Sequence, residues 1–234
     1  MKLFYLFTVL LCVSCSVKKG SKAYKAILLN SGYIANDDSI RILAQQEFSI
    51  YNFNPGEKIA DIGCGSGWFE AYLMLAYDSL EIYAEDIDRR QIRNIDVVVN
   101  AYTEKRKSHQ TNTIQYVLGN YQSTNLPQNY FDKIIIRETF HHFSKKDEML
   151  ADIKSKLKSK GQIYVYEPFV EESSYNEMCK ATILNEEAVV RIFNDAGFGL
   201  QAKHQLNGNP GNVPPWYTKN IEPEPKIILV FTKN

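Results

Sequence analysis

Short apolar runs alternate with longer amphipathic segments along most of this chain. The short runs are rich in β-branched and aromatic side chains, which is typical of strands, and the longer segments repeat apolar residues at helical spacing. This alternation predicts an α/β fold, a Rossmann-like doubly wound sheet of seven mostly parallel strands. The predicted strands are 58–62, 80–85, 113–118, 131–136, 161–166, 198–205 and 226–232, and the predicted helices are 67–77, 88–107, 144–159 and 184–196.

The end of the pattern differs from the rest, because no helical segment separates the strands predicted at 198–205 and 226–232. Strands joined without a crossover helix pair in opposite directions, so we expect an antiparallel hairpin at the C-terminal end of the sheet. The chain has 234 residues and 44% hydrophobic content, which suffices for a single core. We therefore expect one domain over residues 58–234.

A glycine-rich loop follows the first predicted strand. The strand ends at Asp61, and Gly63, Gly65 and Gly67 follow at alternate positions. Glycines let the backbone turn sharply and approach a ligand where any Cβ atom would collide. Because residues 68–77 have a helical pattern, the loop lies at a strand-to-helix turn whose free N–H groups point into a crevice.

An acidic cluster at the end of the second predicted strand strengthens this interpretation. Asp86, flanked by Glu85 and Asp88, follows the glycine loop at the distance where a carboxylate can accept both hydroxyls of a ribose. The two motifs together predict a nucleoside-binding crevice. The alternative is that the glycines form only a tight turn in an unrelated α/β protein.

The segment Asp61-Ile62-Gly63-Cys64-Gly65-Ser66-Gly67 resembles the Asp-x-Gly-x-Gly-x-Gly motif of the class I S-adenosylmethionine-dependent methyltransferases. A dinucleotide site has two residues before its last glycine, and an acid beside the loop would repel a pyrophosphate. The resemblance implies S-adenosylmethionine as cofactor and in-line transfer of its methyl group to a small-molecule or lipid-like acceptor. It places Asp61, Gly63, Gly65, Gly67 and Asp86 in the cofactor site.

Two later segments extend the resemblance. Residues 113–120 are similar to the family's third strand and its following Gly-Asp pair, with Asn120 in place of the acid. An amide oxygen can still accept from the adenine amino group, so we expect Asn120 in the cofactor site. The segment from Arg137 to Phe143 resembles the histidine pair that follows the fourth strand in many small-molecule members. This resemblance adds Glu138 to the cofactor site.

The same segment supplies the candidate catalytic residues. His141 and His142 are candidates for a base or for positioning the acceptor, because imidazole titrates near neutrality. The competing interpretation is that either histidine only packs or forms hydrogen bonds. Adjacent side chains on a helix point apart, so we expect no metal site here.

Charge argues against nucleic acid as a partner. The chain has 27 basic and 27 acidic side chains, and its net charge of zero provides no field that attracts a polyanion. The Pro- and aromatic-rich segment 207–225 is instead expected to form a rigid wall on the acceptor side. The oligomeric state stays open.

The N-terminus resembles a bacterial lipoprotein signal. Met1-Lys2 is followed by an apolar run from Leu3 to Val13 and by Ser14-Cys15. Residues 1–15 are therefore expected to be the signal, and lipidated Cys15 would attach the protein to a membrane, on the periplasmic side. The alternatives are an uncleaved anchor, or a cytoplasmic protein if the signal is not used.

Residues 16–57 are expected to form a tether and an N-terminal helical lid, because parts of this range have helical apolar spacing. The export signal also raises a second functional class. A membrane-tethered binding protein can keep the methyltransferase fold without catalysing transfer, since fold does not fix function. Methyltransferase and non-catalytic binding protein are therefore the two hypotheses from the sequence.

Overall fold

A computed structural model describes residues 46–103, 111–206 and 226–234. The expected signal at 1–15, the lipidated Cys15, most of the expected lid and the wall at 207–225 lie outside these residues. The strands are β1 (Lys58–Ile62), β2 (Glu81–Asp86), β3 (Thr113–Leu118), β4 (Phe131–Arg137), β5 (Leu157–Glu167), β6 (Ser174–Asn176), β7 (Ala181–Ile183), β8 (Phe198–Gln205) and β9 (Ile227–Lys233). The helices are α1 (46–51), α2 (Trp68–Ala76), α3 (Arg89–Thr103), α4 (Lys146–Lys156) and α5 (Glu186–Asp195), with a 3-10 turn at Phe140–His142.

Seven strands form one sheet in the order β3-β2-β1-β4-β5-β9-β8. Strands β1 to β5 pair in parallel, and β9 lies antiparallel between β5 and β8. The predicted α/β sheet and its antiparallel C-terminal pair are thus confirmed. The strand order reverses between β1 and β4, and ligands of open α/β sheets bind at the carboxyl ends of the strands beside such a reversal.

Two apolar layers cover the two faces of the sheet. Alternate β4 side chains enter opposite layers, with Ile134 and Ile136 on one face and Ile135 on the other. The first layer takes side chains from α4 and α5, and Phe193 of α5 stacks on Phe231 of β9 at 4.2 Å between ring centroids. The second takes side chains from α1, α2 and α3. Helices on both faces therefore bury the centre of β4, from Lys133 to Ile136.

The predicted bounds were wrong around β5. The helix predicted at 144–159 ends at Lys156, and the strand predicted from residue 161 begins at Leu157. The cause is an irregular pairing between β4 and β5, because Phe131 pairs with Leu157 while Lys133 pairs with Gln162. A polar stretch, Lys158 to Lys160, therefore belongs to the strand although its composition resembles a helix end. The small hairpin β6–β7 is a further element that the apolar pattern did not predict.

The helices in the described parts of the chain include none that is long and apolar enough to cross a bilayer.

Candidate functional site

A cavity of about 590 Å³ opens at the carboxyl ends of β1, β2 and β4. Its volume is within the range of small-molecule sites. Five of the residues predicted for the site line it, and four do not. The lining residues are Gly63, Gly65, Asp86, Glu138 and His142, and those outside the lining are Asp61, Gly67, Asn120 and His141.

The glycine loop forms one end of the cavity. The backbone N–H groups of Gly63 and Cys64 donate to the Glu85 carbonyl at 2.8 and 2.9 Å, which fixes the loop to the end of β2. Gly63 has a φ of +75°, and a Cβ atom there would lie 2.2 Å from Thr139 Cγ2. No atom of the described residues lies within 4 Å of a Cβ built on Gly65. The backbone at Gly65 therefore has room for a ligand.

Asp86 connects the glycine loop to the chain that follows β2. One carboxylate oxygen accepts from the Gly65 N–H at 2.9 Å, and the other accepts from the Asp88 N–H at 2.7 Å. A carboxylate oxygen has two lone pairs, so each oxygen keeps capacity for a further donor such as a ribose hydroxyl. The predicted ribose contact is compatible with this geometry and stays a prediction.

Asp61 lies behind the loop. It is buried, and its Oδ1 has no hydrogen-bond partner within the part of the chain that the structure describes. Burial raises the pKa of Asp61 to about 6. Glu70 of α2 is completely buried beside it, and burial together with the Asp61 charge raises the pKa of Glu70. Glu70 was not among the residues predicted for the site. The one signal for it in the sequence is that it is an acid on the apolar face of the helix at residues 68–76.

Glu85 is a second buried acid that the sequence placed only as a neighbour of Asp86. It lines the cavity, its exposed fraction is 1%, and its Oε1 is unpartnered among the described residues. Burial, and then the Asp86 charge, raise the pKa of Glu85 to about 9. The Glu85 carboxyl is therefore neutral near neutral pH.

Asn120 is engaged in a local turn. Its Oδ1 accepts from the Gln122 N–H at 2.9 Å and from the Ser123 N–H at 3.1 Å. An adenine amino group would compete with these two donors, and the predicted adenine contact stays a prediction. The neighbouring Tyr121 lines the cavity with 62% of its surface exposed.

The histidine turn forms the other end of the cavity. Glu167, at the end of β5, accepts from the Phe140 N–H at 2.7 Å and lies 2.6 Å from His141 Nδ1. Glu167 and His141 are both buried, and His141 Nε2 has no partner among the residues described. Glu167 was missed, because only the fold brings the residue after strand five to this turn.

His142 is the histidine that faces the cavity. His142 is exposed at its surface, but partial desolvation, and then the proximity of His141, lower its pKa. The two imidazole centroids lie 4.1 Å apart, so the expectation that these side chains point apart was wrong. Glu167 holds the His141 ring through its Nδ1 atom, and the His142 ring lies against the His141 ring. Among the described residues, no three His, Cys, Asp or Glu side chains are grouped so that they could hold a metal ion.

Glu138 lines the same end in a left-handed conformation, with a φ of +51°. Its carboxylate forms an ion pair with Lys226, which precedes β9. Burial raises the pKa of Glu138, but Arg137 and Lys226 outweigh burial and hold this pKa below its usual value. Glu138 therefore stays ionised beside the histidine turn.

Residues 60–165 match the methyltransferase domain family. The chain is 24% identical over 156 residues to phosphoethanolamine N-methyltransferase 1 of Arabidopsis thaliana, covering 63% of this chain and 30% of that protein. It is 22% identical over 217 residues to sterol 24-C-methyltransferase ERG6B of Gibberella zeae, covering 87% of this chain and 52% of that protein. The chain thus spans less than a third of the plant relative and about half of the fungal one.

A solved structure of a SAM-dependent methyltransferase from Aquifex aeolicus has the same fold. It superimposes with a TM-score of 0.62 at 16% identity, covering 86% of this chain and 96% of that one. At this identity the likeness shows the fold, whereas the family match rests on the sequence of residues 60–165. Residues 60–165 are thus similar in sequence to the methyltransferase domain family.

Proposed function

We propose that this protein is an S-adenosylmethionine-dependent methyltransferase that acts on a small-molecule or lipid-like acceptor. One observation carries the proposal. A single cavity joins the glycine loop and Asp86 at one end to His142 and Glu138 at the other. The nucleoside part of a cofactor bound at the first end would therefore place the cofactor's reactive group within reach of titratable side chains at the second end.

The residues at the loop end suit this cofactor. Gly65 allows close approach of a ligand, and Asp86 has capacity for the ribose hydroxyls. Asp86 lines this end of the cavity, and Asp61, with a pKa of about 6, lies behind the loop, so negative charge lies beside the loop near neutral pH. S-adenosylmethionine carries a sulfonium and an ammonium group, so this end of the cavity favours it over a phosphate-bearing ligand.

His142 is the proposed base for acceptors that must lose a proton. S-adenosylmethionine, held by the glycine loop and Asp86, would supply the acceptor with the methyl group of its sulfonium and would leave as S-adenosylhomocysteine. His142 is neutral near neutral pH because its pKa is lowered, so a ring nitrogen can take the proton from the acceptor. The nearby Glu167 acts in the opposite direction on the pKa of His142 and so favours the protonated imidazole once it has formed. Alignment of the reactants is the main contribution that the protein makes.

Cofactor binding is the first test. We expect calorimetry on the full chain to give micromolar binding of S-adenosylmethionine, since cofactor sites commonly work in this range. Asp86→Ala should weaken binding by about 100-fold, because it removes the anchor of Gly65 and the ribose acceptor. Asp195→Ala, an exposed acid at the end of α5, is the matched control and should bind normally. Absence of binding to the wild-type protein would refute the proposal.

The acceptor class is the second test. The named acceptors of the two curated relatives are phosphoethanolamine and a sterol, one polar and one lipid. We propose to incubate the protein with methyl-labelled cofactor and with aqueous or organic fractions of a cell extract. Label in one fraction identifies the class, and His142→Ala should abolish labelling while cofactor binding persists. Labelling that persists in His142→Ala excludes this residue as the base.

Membrane attachment is a separate proposal, supported by the sequence around Cys15 alone. Cys15→Ser should move the protein from the membrane fraction to the soluble fraction if a lipid on Cys15 anchors it. Equal fractionation of both forms would contradict lipidation, and mass spectrometry of the wild-type N-terminus checks this independently.

A further inference from the structure

The charged side chains that line the cavity are acids. Asp86 and Asp88 lie near the glycine loop, and Glu138 lies beside the histidine turn. Among the residues that the structure describes, no lysine or arginine belongs to the lining. An acceptor that bears a phosphate or a carboxylate would therefore find no cation in this lining to pair with its charge. The lining favours an acceptor that is neutral or positively charged.

Glu138 is the acid at the acceptor end, and a ligand can reach it. Its side chain is 39% exposed, and the residue belongs to the lining. Its Oε1 accepts from Lys226, which is not part of the lining. A carboxylate has about four lone-pair sites, so Glu138 keeps capacity for further N–H donors after this ion pair has formed. The cavity is thus offered an accessible carboxylate beside His142.

The backbone at Glu138 has an uncommon conformation. Its φ is +51°, and its N–H donates to the Tyr166 carbonyl at 2.7 Å. A left-handed conformation costs a glutamate free energy that a glycine would avoid, and such strain is concentrated at functional sites. The other non-glycine residues with a positive φ in the described ranges lie outside the lining: Asn52, Ser79, Asn125, Asn129 and Lys180. The strain at Glu138 therefore supports a role for its carboxylate in the cavity.

The charge changes of methyl transfer give this carboxylate a use. An amine nitrogen becomes positively charged as it attacks a sulfonium methyl group, so a carboxylate beside the nitrogen is worth more in the transition state than before it. The same carboxylate repels a phenolate or carboxylate acceptor. Phe143 and Met149 are apolar members of the lining and can contact the rest of the acceptor.

We propose that the acceptor is an amine, and that Glu138 binds its N–H groups and selects it over anionic acceptors. The amine enters as an ammonium ion and gives one proton to a ring nitrogen of His142, which later releases it to water. The nitrogen lone pair then forms the N–C bond to the methyl group while the C–S bond breaks and its electron pair stays on sulfur. The product leaves as an N-methylated ammonium ion.

This inference rests on the proposed function, because it names the acceptor of the same site. It assigns to the acceptor a residue that the family resemblance placed with the cofactor. The two roles for Glu138 differ in which binding constant they affect, and calorimetry can separate them.

The test titrates the full chain, saturated with S-adenosylhomocysteine, with benzylamine, benzyl alcohol and benzoate at neutral pH. These probes place a cation, a neutral hydroxyl and an anion on one aromatic frame. The wild-type protein should bind benzylamine about tenfold more tightly than benzyl alcohol, and benzoate most weakly. Glu138→Gln should reduce the preference for benzylamine to about twofold, because an amide carries no charge. The Kd of S-adenosylhomocysteine should change by less than about threefold.

Two control variants accompany this test. Glu138→Asp keeps the charge and should keep most of the preference, and Glu187→Gln on the exposed face of α5 should change no constant. If the wild-type protein does not bind S-adenosylhomocysteine, the proposed function fails and takes the inference with it. If it binds this ligand but does not prefer benzylamine, the inference is overturned while the proposed function stands. The inference is also overturned if Glu138→Gln weakens S-adenosylhomocysteine as much as benzylamine.

The reaction product gives a measurement that needs no variant. With methyl-labelled cofactor and a cell extract, the label should enter compounds that a cation exchanger retains at neutral pH, and NMR should show it as N-methyl groups. Label on oxygen or carbon, or in anionic compounds, overturns the inference and leaves the proposed function intact.

Discussion

The two ends of the cavity are built in different ways. At the nucleoside end, the contacts come from segments close in sequence, such as Gly65 to Asp86, 21 residues apart. At the acceptor end, Lys226, just before the last strand, reaches back 88 residues to Glu138, and Glu167 at the end of β5 contacts His141 in the turn after β4. The nucleoside end is therefore a local backbone motif, whereas the acceptor end exists only after the whole sheet has formed.

Charge also separates the two ends. At the nucleoside end, burial raises the pKa of Asp61, Glu70 and Glu85, so these carboxyls tend to keep protons. At the acceptor end, Arg137 and Lys226 keep Glu138 ionised, and Glu167 is hydrogen-bonded to His141. A cationic ligand is thus expected to change protonation at the first end and to leave the second unchanged.

The largest effect should come from Gly63→Ala, where the two ends touch. A Cβ atom at residue 63 would lie 2.2 Å from the Thr139 side chain, and the φ of +75° is unfavourable for alanine. We expect a loss of about 2–4 kcal/mol in the free energy of unfolding, measured with urea, from overpacking and backbone strain. Cofactor binding should be lost as well.

Gly56→Ala is the matched control, because Gly56 has a similar φ of +86° with open space around its Cβ position among the described atoms. It should lose only the strain contribution, about 1 kcal/mol, and should bind cofactor normally. Equal losses in the two variants would show that the contact between the two ends does not matter.

Particular residues show which parts of the fold and of the site could be predicted from the sequence. The mostly parallel sheet and its antiparallel C-terminal pair follow from apolar periodicity, and the glycine loop that lines the cavity follows from one contiguous motif. Glu167 and Lys226 could not be found in this way, since no local pattern marks a residue whose partner is supplied by another strand. The start of β5 was missed because pairing with β4, rather than composition, makes a strand of its polar first residues.

A smaller effect, confined to the acceptor end, is expected for Glu167→Gln. A glutamine has one side-chain oxygen, so it cannot accept from both the Phe140 N–H and the His141 ring. We expect kcat for methyl transfer to fall by about 10- to 100-fold, because the histidine turn loses its position. The cofactor Kd from calorimetry should change by less than about threefold, since Glu167 lies outside the cavity lining.

The control for this prediction is Glu171→Gln, an exposed acid shortly after β5 that should leave both constants unchanged. A cofactor Kd that rises as much as kcat falls would mean that Glu167 supports the whole domain and not the histidine turn in particular.

The smallest effect is a pH-dependent change in stability at Glu70, at the nucleoside end. Its pKa is raised in the folded state, so above about pH 4.3 the folded protein holds a proton that the unfolded chain has lost. This stabilising contribution is complete below the unfolded pKa and decreases as pH rises towards the folded pKa. Glu70→Gln removes the titrating group and should therefore remove the decrease.

We expect the Tm of Glu70→Gln, relative to wild type, to be higher at about pH 8 than at about pH 5 by a few degrees, as each kcal/mol shifts Tm by about 2–4 °C in a domain of this size. Circular dichroism on both proteins measures this difference. Glu148→Gln on the exposed face of α4 should give the same offset at both values of pH. A Glu70→Gln offset that is also independent of pH would mean that Glu70 is ionised in the folded protein, which would require a cation beside Asp61.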